Sequence, residues 1–321
     1  PTPSPSPSPP SSGSCNNLGP WVRKASIPII HSEGGSAVIG TKLYVFSGFS
    51  GNELSCSNVL HIYDITTDTW TQGANFPLAI GNSHMQAAAW TNPPSGAARY
   101  IFMAGGFPGP NGSPPTNQVW RYDTINNAYD QMPNLPAARA SGAVVIDSNH
   151  KLHYIGGLNG DRTTDFATHY VLDLLNPTAW QTLAVPMPIP RNHVQGLLIG
   201  TKIYIGGGQY GHDPNYSVVY SAYTHSFDIN TNTWTRLSDA PNVRSHSEPA
   251  TIVVNGKYLQ FGGRSLNWDN LDTNVEYDPV RNVWNYLRTI PSTDGRLSPS
   301  AGFFKNVIVD GVLGDYIVLT A

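Results

Sequence analysis

A pair of small residues closes an aromatic-rich hydrophobic run five times in this chain: Ser47-Gly48, Gly105-Gly106, Gly156-Gly157, Gly207-Gly208 and Gly262-Gly263. Each pair is followed by an Asp (Asp64, Asp123, Asp173, Asp228, Asp278) and then by an aromatic (Trp70, Tyr129, Trp180, Trp234, Trp284). The Asp leads the aromatic by six residues in four units and by seven in the third, and successive aromatics lie 59, 51, 54 and 50 residues apart. A repeat of about fifty residues has the length of a four-stranded propeller blade. One such unit cannot bury its own apolar face, so the units must pack on one another. Glycine permits positive φ and close approach of neighbouring backbones, and the large aromatic suits the gap between blades.

The pattern resembles the kelch-repeat β-propeller family over roughly residues 20–321, of the secreted type found as the central domain of galactose oxidase but without its copper radical motif. The resemblance implies that the paired glycines end the second strand of a blade, that a Tyr-Asp pair lies on the third and that the Trp lies on the fourth. Tyr63-Asp64, Tyr122-Asp123 and Tyr277-Asp278 follow this, whereas Leu172-Asp173 and Phe227-Asp228 depart from Tyr. The expected fold is all-β: a six-bladed kelch-type propeller of four-stranded blades. Gly19-Pro20-Trp21-Val22 reads as an outermost strand. Residues 300–304, 307–311 and 315–320 read as three more, so the N-terminal strand would join the C-terminal blade and remove an open edge. A seventh blade is the alternative, if the final segment belongs to two.

A chain of 321 residues ordinarily holds two domains, but radial repetition makes residues 15–321 one propeller. Only 12% of residues are charged, the formal net charge is −3 and no basic run occurs, which argues against nucleic acid. No stretch approaches the ~20 apolar residues of a membrane span. Residues 1–14 alternate Pro and Ser, a composition that favours extended polyproline II and offers Thr2, Ser4, Ser6 and Ser8 for O-glycans. The tract resembles the spacers of secreted fungal modular enzymes and of hydroxyproline-rich glycoproteins; a bare tail is the alternative. Cys15 and Cys56 suit a disulfide in an oxidising compartment, or two buried thiols. Asn-x-Ser sequons stand at Asn111 and Asn215. Together these features place the expected protein outside the cell.

In such a blade the loops between strands two and three share a face with the links between blades. The links carry Arg139, Arg191, Arg244 and Arg296, with His31 at the matching place in the first unit. Just beyond come Glu33, His84, Ser141, His193, His246 and Ser298, and two residues further Gly35, Gln86, Ala143, Gln195, Glu248 and Ser300. A period of two puts both sets on one side of the strand, as a polar ring at the channel mouth. The kelch resemblance implies that Arg and Ser at these places touch a partner; the bland alternatives are Arg donating to neighbouring carbonyls and His lining the channel. Tyr210, His212, Asp213 and Tyr216, then Arg264, Asn267, Trp268 and Asp269, and Asn159, Asp161 and Arg162 supply the aromatic and planar polar groups that hold sugars. No metal and no cofactor are expected, because ligands would have to converge across a channel from four blades.

Three functions stay open. The first is a secreted binding module for a glycan or extracellular glycoprotein. The second is a structural component of a matrix, wall or surface filament that self-associates. The third is a carbohydrate-active enzyme, mutarotase- or lyase-like, which by resemblance to the sialic acid mutarotases would use Glu248 with Arg191, Arg244 or Arg296 for acid–base or lyase chemistry and His246 or His193 as proton carrier. A copper radical oxidase is argued against, since Cys56 has no evident tyrosine partner.

Overall fold

The computed structural model describes residues 18–50, 55–91, 96, 98–110, 112–215, 217–267, 269–291 and 299–320. Five antiparallel four-stranded sheets follow one another in chain order. The first comprises Gly35–Ile39, Lys42–Phe46, Leu60–Asp64 and Thr69–Gln72. The second runs from Gln86–Thr91 to Ala128–Met132, the third from Ala143–Ile146 to Gln181–Thr182, the fourth from Gly196–Ile199 to Thr233–Arg236 and the fifth from Thr251–Val254 to Val283–Leu287. The core lies between the blades rather than inside any one of them. Trp90, Phe102 and Leu135 of blade two, for example, bury against Val144, Leu152, Tyr170 and Leu172 of blade three.

The recurring Asp and aromatic each have a local task. Oδ1 of every repeat Asp accepts a backbone N–H two residues on, as Asp64 does from Thr66 (3.0 Å) and Asp278 from Val280 (2.9 Å), which closes the turn into the fourth strand. The fourth-strand aromatic then reaches the end of the previous blade: Tyr129 donates to Ala74 O, Trp180 to Pro133 O and Trp284 to Ser238 O. These three aromatics thereby satisfy their polar handles while their bodies fill the inter-blade gap, whereas Trp234 Nε1 is buried without a partner.

Closure departs from expectation. Among the described residues there are five four-stranded blades, not six or seven. The C-terminal segment folds as two strands, Ala301–Val309 and Val312–Leu319, not three. Residues 305–306 are absorbed as a register shift, and the chain reverses only at Asp310-Gly311, both with positive φ (50° and 78°), as a two-residue hairpin turn requires. Phe304, Val307 and Val309 of this sheet pack on Leu43, Val45 and Tyr63 of blade one, and Ala301 packs with Leu259 and Phe261 of blade five. The expected N-terminal strand at residues 19–22 is not formed. Pro20 has no N–H to give a ladder, and the segment is tied instead by Trp21 Nε1–H to Thr289 O (2.7 Å) and by Arg288 to Leu18 O (3.1 Å). Among the described residues, no helix is long and apolar enough to cross a membrane.

Candidate functional site

The channel mouth is built by the glycine pairs. In each blade the link residue that precedes the inner strand pairs with the residue after that blade's glycine pair: Ser32 with Phe49, Ser83 with Phe107, Ala140 with Leu158, Asn192 with Gln209 and Ser245 with Arg264. The approach is so close that a Cβ on Gly208 (φ 91°) would lie 2.6 Å from Asn192 O. Glycine is therefore required there by space as well as by φ. The same glycine stitches blades together: Gly106, Gly157 and Gly208 donate N–H to the carbonyls of Arg139, Arg191 and Arg244 in the next link, at 2.8, 2.9 and 2.8 Å. The residue after each bridge is forced into the left-handed region, at Glu33 (φ 55°), His84 (55°), Ser141 (58°), His193 (50°) and His246 (56°). Five blades thus present one side chain each from the same strained backbone position.

Arg191 and Arg244, expected to touch a ligand, are 0% exposed. Arg191 Nη1 donates to Gly207 O (2.9 Å) and Tyr223 O (2.7 Å); Arg244 donates to Gly262 O, Thr273 O and Thr273 Oγ1. Burial pulls both guanidinium groups down to about 10, still protonated at neutral pH. They hold the links to the glycine turns and are removed from the set of contact residues. Arg139 is half-buried, with its guanidinium 3.4 Å over the Phe166 ring and a bond to Ala138 O. Arg296 and Ser298 lie outside the described residues.

A second correction concerns the histidines. The link geometry carries them across the channel after all. His84 Nε2 lies 2.7 Å from Glu33 Oε2, and His246 Nε2 lies 3.7 Å from Glu33 Oε1. The His193 ring is 4.3 Å from that of His246 and 5.1 Å from that of His84. One ligand atom each of Glu33, His193 and His246 falls within 4.8 Å of the other two. Burial alone would raise the Glu33 carboxyl, but His84, then His246 and Arg162, outweigh it and bring it to about 2. Burial outweighs the opposing pull of Glu33 and brings His246 down to about 4; burial together with the neighbouring His246 and His84 holds His193 well below the ordinary histidine range. The Glu33 carboxylate and the neutral imidazoles of His193 and His246 therefore face each other at the mouth.

Below this ring the inner strands enclose a channel cavity of about 380 Å³, lined among others by Gln86, Gln195 and Glu248. Gln195 Nε2 donates to Val144 O (3.3 Å), while Gln195 Oε1 and Glu248 Oε2 are buried without a partner. Glu248 sits in a short 3-10 turn behind Pro249, 4% exposed, and burial pushes its carboxyl up to about 8.

On the rim, the half-buried Tyr210 stacks on Tyr223 (5.8 Å, 28°), over which Arg236 places its guanidinium at 4.5 Å. Asp161, Asn267 and Asp269 are exposed on the loops of blades three and five, and Arg264 is half-buried beside the Ser245 bridge. Asn215 is exposed in a turn capped by Asp213, as a glycan acceptor would need to be. Cys56 is a free thiol whose Sγ faces Phe107 O at 3.8 Å, so the expected bridge to Cys15 is not made. Cys15, Asn111, Tyr216, Trp268 and Thr2, Ser4, Ser6 and Ser8 of the tract at residues 1–14 lie outside the described residues. Sequence reasoning missed Asn192 and Asp165, which hydrogen-bond to each other and to His212, already named among the loop residues, behind His193. No motif marks them, because Asp165 comes from the preceding blade.

Radial four-stranded blades, glycine-pair turns bridged to the links and an aromatic between blades define a kelch-type β-propeller. The KLHDC2/KLHL20/DRC7 Kelch-repeats domain matches residues 96–313 and the Kelch motif matches residues 32–77. The chain belongs to the kelch-repeat family. It is similar to the Kelch repeat-containing protein At3g27220 of Arabidopsis thaliana, 26% identical over 77% of this chain and 59% of that protein. It is also similar to Kelch-like protein 25 of Xenopus tropicalis, 26% identical over 84% of this chain and 43% of the relative. The match thus spans about half the length of these relatives. The solved structure of YjhT superposes with a TM-score of 0.69 at 16% identity, covering 85% of this chain and 88% of that one, which shows the shared fold.

Proposed function

We propose that this propeller is an extracellular binding module that holds a glycan or glycoprotein on its channel-mouth face. The observation that carries this is the rim chemistry: Tyr210, braced by Tyr223 and Arg236, on blade four, with exposed Asp161 on the loop of blade three and exposed Asn267 and Asp269 on that of blade five. A fixed aromatic face packs on the C–H side of a sugar ring, and planar polar groups pair with its hydroxyls. The Pro/Ser tract and the exposed Asn215 sequon support a secreted location. The kelch fold supplies only the scaffold, so the partner must be argued from these side chains.

A glycan-array screen of the natively purified, deglycosylated chain tests this, with Tyr210→Ala and Asp269→Ala alongside. A defined hit is expected, weakened at least about tenfold in each variant, the loss of one stacked ring or one good hydrogen bond. Absence of any hit, or a hit indifferent to both variants, overturns the assignment. Conversion of a bound sugar, abolished by Glu248→Gln, would replace binding by catalysis, for which the buried, unpartnered Oε2 of Glu248 in the channel is the specific support.

A further inference from the structure

We propose that Glu33, His193 and His246 form a binding site for one divalent transition-metal ion, zinc in first place, at the throat of the propeller. Three ligand atoms from blades one, four and five already lie within 4.8 Å of one another. Bonds of ~2.0 Å at tetrahedral angles set ligand atoms ~3.3 Å apart. His246 Nε2 and Glu33 Oε1, at 3.7 Å, are close to that separation and too far apart for a hydrogen bond. Side-chain rotation of about an ångström closes the rest, on backbones fixed by the bridges that precede each inner strand.

The state of His193 points the same way. Its Nδ1 contacts Oδ1 of Asn192, an atom that can only accept, so Nδ1 carries the proton. The Asn192 amide is itself oriented, because its Nδ2 donates to Asp165 Oδ1 and lies 3.2 Å from His212 Nδ1. The remaining nitrogen, Nε2, therefore offers a bare lone pair, yet it is buried without a partner in a residue 6% exposed. An orphaned buried acceptor costs about 1–3 kcal/mol. An ion bound by that lone pair removes the deficit. The chain of Nδ1–H, amide and carboxylate is the kind of outer support that fixes tautomer and ring direction in histidine metal sites.

Glu33 is held in the same fashion. His84 binds Oε2 at 2.7 Å, which leaves Oε1 turned to His246. His84 Nδ1 in turn lies 3.0 Å from Ser83 Oγ. Two imidazoles and one carboxylate suit zinc, or iron(II), and not magnesium or calcium, which take oxygen ligands. Three protein ligands also leave a coordination position open toward the channel. The inference stands apart from the glycan assignment, since metal binding is measured with no sugar present.

The natively purified chain, stripped with chelator and returned to metal-free buffer, is titrated with zinc and, separately, with cobalt(II). The expected result is one ion per chain, a visible cobalt d–d band of a low-symmetry nitrogen–oxygen site and a rise in Tm on zinc addition. His193→Gln and Glu33→Gln each weaken binding by about a hundredfold or more, while His150→Gln, remote from the throat, leaves it unchanged. The wild-type titration needs no variant to fold: absence of one-to-one zinc or cobalt binding overturns the proposal. So does zinc binding that persists undiminished in folded His193→Gln and Glu33→Gln, which would place the ion elsewhere.

Discussion

Replacement of Arg191 by Met separates a link-holding arginine from a ligand-binding one. Arg191 is 0% exposed, and its guanidinium serves Gly207 O and Tyr223 O and lies 3.0 Å from His225 Nδ1. Met retains most of the apolar stem but no donor, so two buried acceptors, Gly207 O and His225 Nδ1, are orphaned at about 1–3 kcal/mol each, while Tyr223 O keeps the Gly207 N–H at 3.1 Å. Relief of the buried, desolvated cation offsets part of that loss, which leaves a net cost of about 2–4 kcal/mol. At ~2 °C per kcal/mol for a domain of this size, the Tm falls by about 4–8 °C. Differential scanning calorimetry on purified wild type and variant measures it, and urea titration gives the free energy. Arg139→Met is the comparison: a half-exposed guanidinium over Phe166 with one bond to Ala138 O is worth about 1 kcal/mol. Should Arg191→Met melt within a degree of the wild type and lose partner binding instead, the link argument is refuted and Arg191 returns to the contact surface.

Two further outcomes follow from the same geometry. Gly208→Ala, with φ 91° and a Cβ forced to 2.6 Å from Asn192 O, costs more than about 2 kcal/mol in urea, whereas Gly200→Ala, at φ 61° with open space around it, costs about 1; equal costs would show that the close approach is unimportant. Asp123 is drawn down to about 2, first by its paired bonds to Arg99 at 2.8 and 2.5 Å. A depressed carboxyl stabilises the fold above its unfolded value near ~4 and loses that contribution as pH falls from ~4 through ~2. Asp123→Asn should therefore flatten the Tm-against-pH curve in that window while lowering Tm at neutral pH, and an unchanged acid slope counts against the ion pair.

Repeat units were legible in the chain because each of their signals is a local demand. Asp123 must close a turn two residues away at Ile125, Tyr129 must face Tyr122 across the ladder, and the second glycine of a pair must lie against its own link. Such requirements recur at fixed spacing whatever surrounds them. Ring closure was read wrongly for the opposite reason. Whether residues 300–320 make two strands or three depends on how the last sheet fits between blades one and five, and Lys305-Asn306 can serve as a turn or as a bulge. The extended N-terminal strand failed on a single missing donor at Pro20, a cost that only the presence of a neighbouring ladder would reveal.

The mouth divides along the same line. That Glu33, His84, Ser141, His193 and His246 occupy equivalent places follows from the repeat alone. That Glu33 meets residues 160 and 213 positions away is a consequence of the ring's radius, which no spacing encodes. Nor does the sequence distinguish Arg191 from a solvent-facing arginine: its burial arises because the glycine turn and the segment leading into the third strand of its own blade close over it and supply carbonyls. Sequence by itself determined the blade, its period and the positions that point at the axis, because these rest on contacts within some fifty residues. Tertiary structure alone decided the width of the channel, the closing sheet and which of those polar side chains meet, because these depend on how blades pack around a common axis.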